Sequence, residues 1–367
     1  MGRGRPPRRA AGGLSGMAQH YLSVREDWLA QTREEPLDPA QPIIDAHHHL
    51  WDRPGWRYLA DDFARDIAQG GHNILASVYV QARAMLRARG AEELRPVGET
   101  EFAAGMAAMS ESGGYGPTHI CAGIVGFADL RLGAAVRPVL EAHIRAGGGR
   151  FRGIRHIAAW DPDPTMLNPA YQPGQHMLLD PVFRAGFAEL APLGLSFDAW
   201  LLHPQLDDLV DLARAFPGTA IVLNHIGGPL AIGRYAGRRE EARLEWAGAM
   251  QRLATCPNVH VKIGGLSMRM LGFGFEAQER PASSAERAQI WRPYVQTCIE
   301  LFGAQRCLFE SNFPVDKGAV GYGVLWNAFK RLAAGASAQE KDDLFWRTAA
   351  RVYRLDGIPS LREGMVQ

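Results

Sequence analysis

Lysine is scarce in this chain. Of 40 Lys and Arg residues only Lys262, Lys317, Lys330 and Lys341 are lysines, and the other 36 are arginines. Cysteine is as rare, and Cys121, Cys256, Cys298 and Cys307 form no close pair. That spacing excludes a zinc knuckle and gives no disulfide frame, so all four are expected to be small buried hydrophobes of a reducing compartment. No run of about 18 apolar residues occurs, which leaves no candidate for a membrane-spanning helix. An excess charge of either sign is missing too. The 40 basic residues face 39 acidic ones, for a net charge of +1, and such a balance asks for neither nucleic acid nor an anionic membrane surface. Arg3, Arg5, Arg8 and Arg9 lie among Gly and Pro with no apolar stretch behind them, so an export signal is not expected. These absences describe a cytoplasmic protein whose partner is a small molecule; self-association stays open.

Nearly half of the 367 residues, 47%, are hydrophobic, enough for a large core without staples. Short apolar, β-branched runs alternate with longer amphipathic stretches. The pattern predicts strands over 42–47, 74–81, 119–127, 151–158, 195–201, 220–225, 259–263 and 307–311, with helical patterns at 99–110, 134–146, 181–191, 206–215, 240–255, 285–302 and 322–334 between or after them. Alternation implies a parallel sheet, and eight units imply closure into an α/β fold, a (β/α)8 TIM barrel forming a single domain over 42–358. A doubly wound open sheet is the rival. Gly147-Gly148-Gly149 precedes a strand rather than following one, which makes it a helix stop and not a dinucleotide loop. Ahead of the barrel the sequence predicts a disordered basic tail over 1–16 and a helical extension over 17–41 with a helix at 18–33; 359–367 form a C-terminal tail.

The run Ile43-Ile44-Asp45-Ala46-His47-His48-His49-Leu50 leads an apolar strand into His-x-His. Side chains alternate along a strand, so Asp45, His47 and His49 are expected on one face and His48 on the other. Two imidazoles about 7 Å apart on one face can share an ion. An isolated His-x-His is as readily a strand end with buried, hydrogen-bonded rings. Here it has company, because polar residues collect at the C-terminal ends of the other strands, where a barrel places its catalytic groups. These are Gln81, Arg155 and His156, Asp198 and Trp200, Asn224 and His225, with Lys262 on the seventh strand. The eighth carries Glu310 and Asn312, two apart and so on one face. His203 is equally a substrate contact or a helix-entry hydrogen bond. Trp51, Trp160 and Trp200 read as core or pocket wall, and Met268, Met270, Phe273 and Phe275 as an adaptable lid.

With these residues in place, the chain resembles the amidohydrolase superfamily, and within it the barrel hydrolases that include sugar-lactone hydrolases and 2-pyrone-4,6-dicarboxylate lactonase. The resemblance runs from about Leu37 to Leu355. It rests on Asp45-Ala46-His47-His48-His49-Leu50-Trp51-Asp52, on Arg152-Gly153-Ile154-Arg155-His156, on Asn224-His225-Ile226-Gly227-Gly228-Pro229 and on Ser311-Asn312-Phe313-Pro314. It implies that His47 and His49 are first-strand metal ligands, that His225 is the sixth-strand histidine and a third ligand, and that Arg155 contacts a substrate carboxylate or carbonyl. Two departures matter. The family's eighth strand usually carries Ser-Asp-Trp-Pro, whose aspartate binds the metal and moves protons, whereas this chain has Asn312. An amide cannot be a general base, so that role passes to Glu310, Asp316 or Asp198. Nor does a lysine fall in the fourth strand, so the carbamylated bridge of binuclear relatives is absent and one metal at most is expected.

The expectation is therefore a hydrolase that opens a small lactone by attack of an activated water, with one divalent ion, zinc by preference, or with none because Asn312 replaces the usual aspartate. His47, His49, His225, Glu310 and Asn312 are its expected catalytic residues. Arg155, His156, Gln81, His203 and Trp200 are its expected substrate contacts. A metal-dependent decarboxylase of an aromatic or unsaturated acid and a catalytically silent binding barrel are the alternatives.

Overall fold

The computed structural model describes residues 21–355 except 167, 169 and 172. The expected tails at 1–16 and 359–367 lie outside the described residues. Eight strands form one sheet in chain order: β1 Ile43–His48, β2 Ile74–Val80, β3 His119–Gly126, β4 Phe151–Ile157, β5 Ser196–Trp200, β6 Ile221–Leu223, β7 Val259–Ile263 and β8 Cys307–Phe309. Each lies within one or two residues of its expected run. Every neighbouring pair from β1 to β8 is parallel.

A helix follows each strand: α1 Ala60–Gly70, α2 Val97–Ser110, α3 Arg137–Ala146, α4 Pro181–Phe187, α5 Leu206–Ala215, α6 Arg239–Ala254, α7 Ser284–Phe302 and α8 Tyr322–Leu332. Local chemistry sets several of their starts. Asp180 caps α4 by accepting from the Val182 and Phe183 amides with Pro181 in the first turn, and Ser283 with Glu286 forms a capping box on α7. The barrel closes just beyond β8, where Asn312 N–H donates to the His47 carbonyl at 2.9 Å and His49 N–H to the Phe313 carbonyl at 2.7 Å. The architecture is thus the (β/α)8 barrel expected from the alternation.

Outward side chains such as Ile154, Phe197, Val261 and Phe309 are fully buried against the helix ring, and each such burial contributes about 1.5–3 kcal/mol. A second cluster fills the barrel interior. Ile44, Ala46, Ala76, Val78, Val222 and Leu308 pack there against Trp346, Ala349, Ala350, Tyr353 and Leu355 of the C-terminal segment, which stoppers the barrel.

Within the extension, the described helix is the single turn Glu26–Leu29 and not a helix to residue 33. Its apolar and polar groups are used for docking instead. Trp28 is buried and donates Nε1–H to the Gln278 carbonyl at 3.1 Å, Arg25 donates to the Glu276 carbonyl at 2.6 Å, and the Thr32 hydroxyl donates to the Pro281 carbonyl at 2.8 Å. Residues 21–35 therefore strap the loop between β7 and α7.

Candidate active site

β1 delivers two imidazoles, His47 fully buried and His49 nearly so. Strict alternation would place Asp45 beside them, but the β1–β2 register shifts between Asp45 and His48. Asp45 turns instead to the Ser311 amide at 2.8 Å and the Tyr322 hydroxyl at 2.9 Å. His48 stacks on Phe63, with Nε2 2.9 Å from Ser77 Oγ. These two residues tie β1 to its neighbours while His47 and His49 serve the site.

Hydrogen-bond partners assign the tautomers of His49 and His225. His49 Nδ1 lies 2.7 Å from the Val80 carbonyl, a pure acceptor, so the proton is on Nδ1 and Nε2 carries a lone pair. Glu310 Oε1 accepts from His225 Nδ1 at 2.6 Å and from the His225 amide at 3.2 Å. Its Oε2 is 2.8 Å from His47 Nδ1, close but without an aligned hydrogen bond. Donor-only groups flank both nitrogens of His47, Arg155 Nη1 at 3.3 Å from Nε2 and Lys262 Nζ at 3.4 Å from Nδ1, and it is the Glu310 carboxylate beside Nδ1 that favours the proton there. Lys262 Nζ, 3.4 Å from His47 Nδ1, makes its short bond to Asp198 at 2.7 Å. Asp198 also accepts from Asn224 Nδ2 and from the Tyr353 hydroxyl, both at 3.0 Å, which leaves it structural.

With the His47 proton on the Glu310 side, His47 Nε2 and His49 Nε2 face each other at 3.1 Å as two lone pairs. That arrangement repels unless a positive centre lies against both. Burial, reinforced by Lys262 at His47 and by Arg155 at His49, holds both rings well below the usual histidine range, so a proton is not that centre. A divalent cation fits the donor set, since neutral imidazole nitrogens suit zinc and a carboxylate behind the rings fixes their tautomers. Ligating atoms of His47, His225 and Glu310 all lie within 4.8 Å of one another.

Tight backbone allows this packing. At Gly265, with φ of +62°, an added Cβ would lie 2.7 Å from the His225 ring. His225 and Asn312 themselves hold left-handed φ values of 52° and 55°, a strain of about 1–3 kcal/mol each that clusters at functional sites.

His49, Arg155, Trp200, His225 and Asn312 line one cavity of about 610 Å³, whose walls include Tyr21, Trp51, Tyr171, Met268 and Met270. His47 and Glu310 are fully buried and do not line it. Asn312 donates to Asp316 Oδ1 at 2.9 Å, and its own amide oxygen is buried without a partner. Burial raises the Asp316 carboxyl to about 7.

Other expected contacts sit elsewhere. His156 packs between Phe127 and Phe183, on the helix side of β4. His203 accepts from the Leu230 amide at 3.1 Å and rests on Tyr235, which makes it a loop fastener. Gln81 is fully buried and meets Arg155 through its carbonyl oxygen. Phe273 and Phe275 pack on Tyr294 and Trp291 instead of the cavity. Tyr21, Asn168 and Tyr171 line the cavity from irregular segments that carry no periodic signal.

Imidazoles and an arginine at the C-terminal rim of a parallel barrel define a barrel hydrolase. Residues 44–355 match the family described as Amidohydrolase, and the chain belongs to it. It is 34% identical over 341 residues to an uncharacterized protein, y4mH, of Sinorhizobium fredii, covering 85% of this chain and 98% of that one. It is 28% identical over 286 residues to L-fucono-1,5-lactonase of Burkholderia ambifaria, covering 76% and 83% respectively. An amidohydrolase from Burkholderia multivorans, crystallised with bound zinc, superposes with a TM-score of 0.64 at 25% identity, covering 85% of this chain and 99% of that one.

Proposed function

We propose that the protein is a lactonase acting on a small sugar-derived or carboxylated lactone. The observation that carries this reading is the set of imidazoles His47, His49 and His225, with Val80 and Glu310 on their Nδ1 sides, beside a buried arginine at one cavity. Likeness to an L-fucono-1,5-lactonase supports the substrate class. Aromatic walls at Trp51, Tyr171 and Trp200 suit the apolar face of a sugar ring.

A divalent cation held by His47, His49 and His225 would acidify a water toward a pKa of about 7 and polarise the lactone carbonyl. Arg155 donates to the carbonyl oxygen and stabilises the charge that develops on it. Glu310 keeps the Nδ1 proton of His225 in place and, with a second oxygen beside His47 Nδ1, raises the basicity of both rings. Asn312, an amide, orients substrate through its free oxygen and moves no proton. The Glu310–His225 pair also favours a second reading without a cation, in which His225 Nε2 takes the proton of the attacking water while Glu310 stabilises the resulting imidazolium.

Proton release from a panel of sugar lactones, with metal content measured before and after chelation, tests the proposal. Turnover that disappears with the metal supports the first reading, and turnover that survives chelation supports the second. Carbon dioxide release from unsaturated acids, with no lactone opened, would overturn both.

A further inference from the structure

Beside the substrate cavity lies a second chamber of about 760 Å³, and Tyr21, Ala82, Asn168 and Tyr171 line both. Its charges do not cancel. Arg57, Arg65 and Lys317 are taken up by acids: Arg57 by Asp61 and Asp62, Arg65 by Asp62 at 3.1 Å, and Lys317 by Asp66 and Glu26, each at 2.8 Å. Arg53 and Arg83 have no carboxylate partner among the described residues. Arg53 donates Nη2–H to the Ala82 carbonyl at 2.7 Å, with its guanidinium 4.1 Å from the Trp51 ring, and its Nη1 is buried with no acceptor. Arg83 donates to the Ala170 carbonyl at 2.6 Å and lies 5.5 Å over Tyr171.

These side chains meet at one short segment. Arg155 binds the Gln81 carbonyl, Arg53 the Ala82 carbonyl, and Arg83 is the next residue. Glu99 anchors the segment by accepting from the Ala82 amide at 2.6 Å and the Ala84 amide at 3.0 Å. No Asp or Glu lies among the described residues that line the substrate cavity. A buried guanidinium N–H without an acceptor is costly, and an anion entering from the chamber would satisfy it.

We propose that the second chamber binds a negatively charged substituent of the substrate, a carboxylate or a phosphate, between Arg53 and Arg83, while the reacting ring stays at Arg155 and the imidazoles. The inference rests on the lactonase reading for the identity of the ring but not for the anion site. Calorimetric titration of the full chain with gluconate, glucarate and 6-phosphogluconate tests it, because the three acids share one carbon frame and differ in the group at the far end. The expected result is at least tenfold tighter binding of glucarate or 6-phosphogluconate than of gluconate; whichever gains identifies the anion. Arg53→Met and Arg83→Met should each remove most of that advantage, and Arg53→Lys, which keeps the charge and guards against misfolding, should keep part of it. Equal affinity for all three acids, no binding, or an advantage that survives both Met variants overturns the proposal. Arginine-dependent binding in a protein that opens no lactone would instead overturn the lactonase reading and leave the anion site standing.

Discussion

Glu310 spans two rings, with Oε1 2.6 Å from His225 Nδ1 and Oε2 2.8 Å from His47 Nδ1. One carboxylate thereby fixes the tautomer of His225 and lies against the Nδ1 side of His47. Glu310→Gln keeps the volume and removes the charge. Turnover is expected to fall by about 10²–10⁴ and zinc affinity by about 10–100-fold, with an unchanged circular dichroism spectrum. Steady-state kinetics and zinc titration check this, and near wild-type values for both would detach Glu310 from the chemistry.

Asn312 donates its side-chain amide to the Asp316 carboxylate. Asn312→Asp removes the donor that Asp316 accepts at 2.9 Å and sets two buried acids face to face. Stability should drop by about 1–3 kcal/mol, more at pH 8 than at pH 6, where the pair can share a proton. Adding Asp316→Asn should restore the lost melting temperature. A single variant as stable as the parent at pH 8 would refute the pairing.

Acid should destabilise the fold through histidines remote from the cavity floor. Burial lowers His72, His143, His203 and His260 each to about 4. The unfolded chain binds these protons near pH 6.5 and the folded one does not, so their contribution is complete above pH 6.5 and shrinks as pH falls toward 4. Each is worth about 1.4 kcal/mol per pH unit in that window. Asp45 and Asp316, raised by burial to about 6 and about 7, act in the opposite direction but are outnumbered. Melting temperature should be flat between pH 7 and 8 and fall steeply below 6.5; a level profile to pH 5 would contradict the buried, neutral assignment.

Gly265 permits the close approach of β7's following loop to His225. Gly265→Ala places a methyl 2.7 Å from that ring at a positive φ, so activity should be lost with a stability penalty of about 1–3 kcal/mol. Gly218, whose Cβ position is open, is the control. Urea unfolding and lactone assays of the two alanine variants should diverge.

Much of the barrel was legible because strand and helix periods alternate cleanly, and each expected run became a strand within a residue or two. The rim was legible in part. His47, His49, His225, Arg155, Glu310 and Asn312 come together, since strand ends in a parallel barrel share one mouth. Alternation did not decide which of two adjacent polar residues turns inward. On β4 Arg155 faces the imidazoles and His156 the helices, and on β1 a register shift sends Asp45 away from its neighbours. Tyr21 and Tyr171 were invisible because loop residues that wall a cavity follow no period.

The strap formed by residues 21–35 lies upstream of the region 44–355 that matches the family, yet Tyr21 walls the cavity. The reacting centre and the shape of its entrance are therefore written in separate stretches of the chain. A barrel with the same rim and a different leader segment would keep the chemistry and admit other molecules, so substrate preference can diverge here without any change among the motifs that mark kinship.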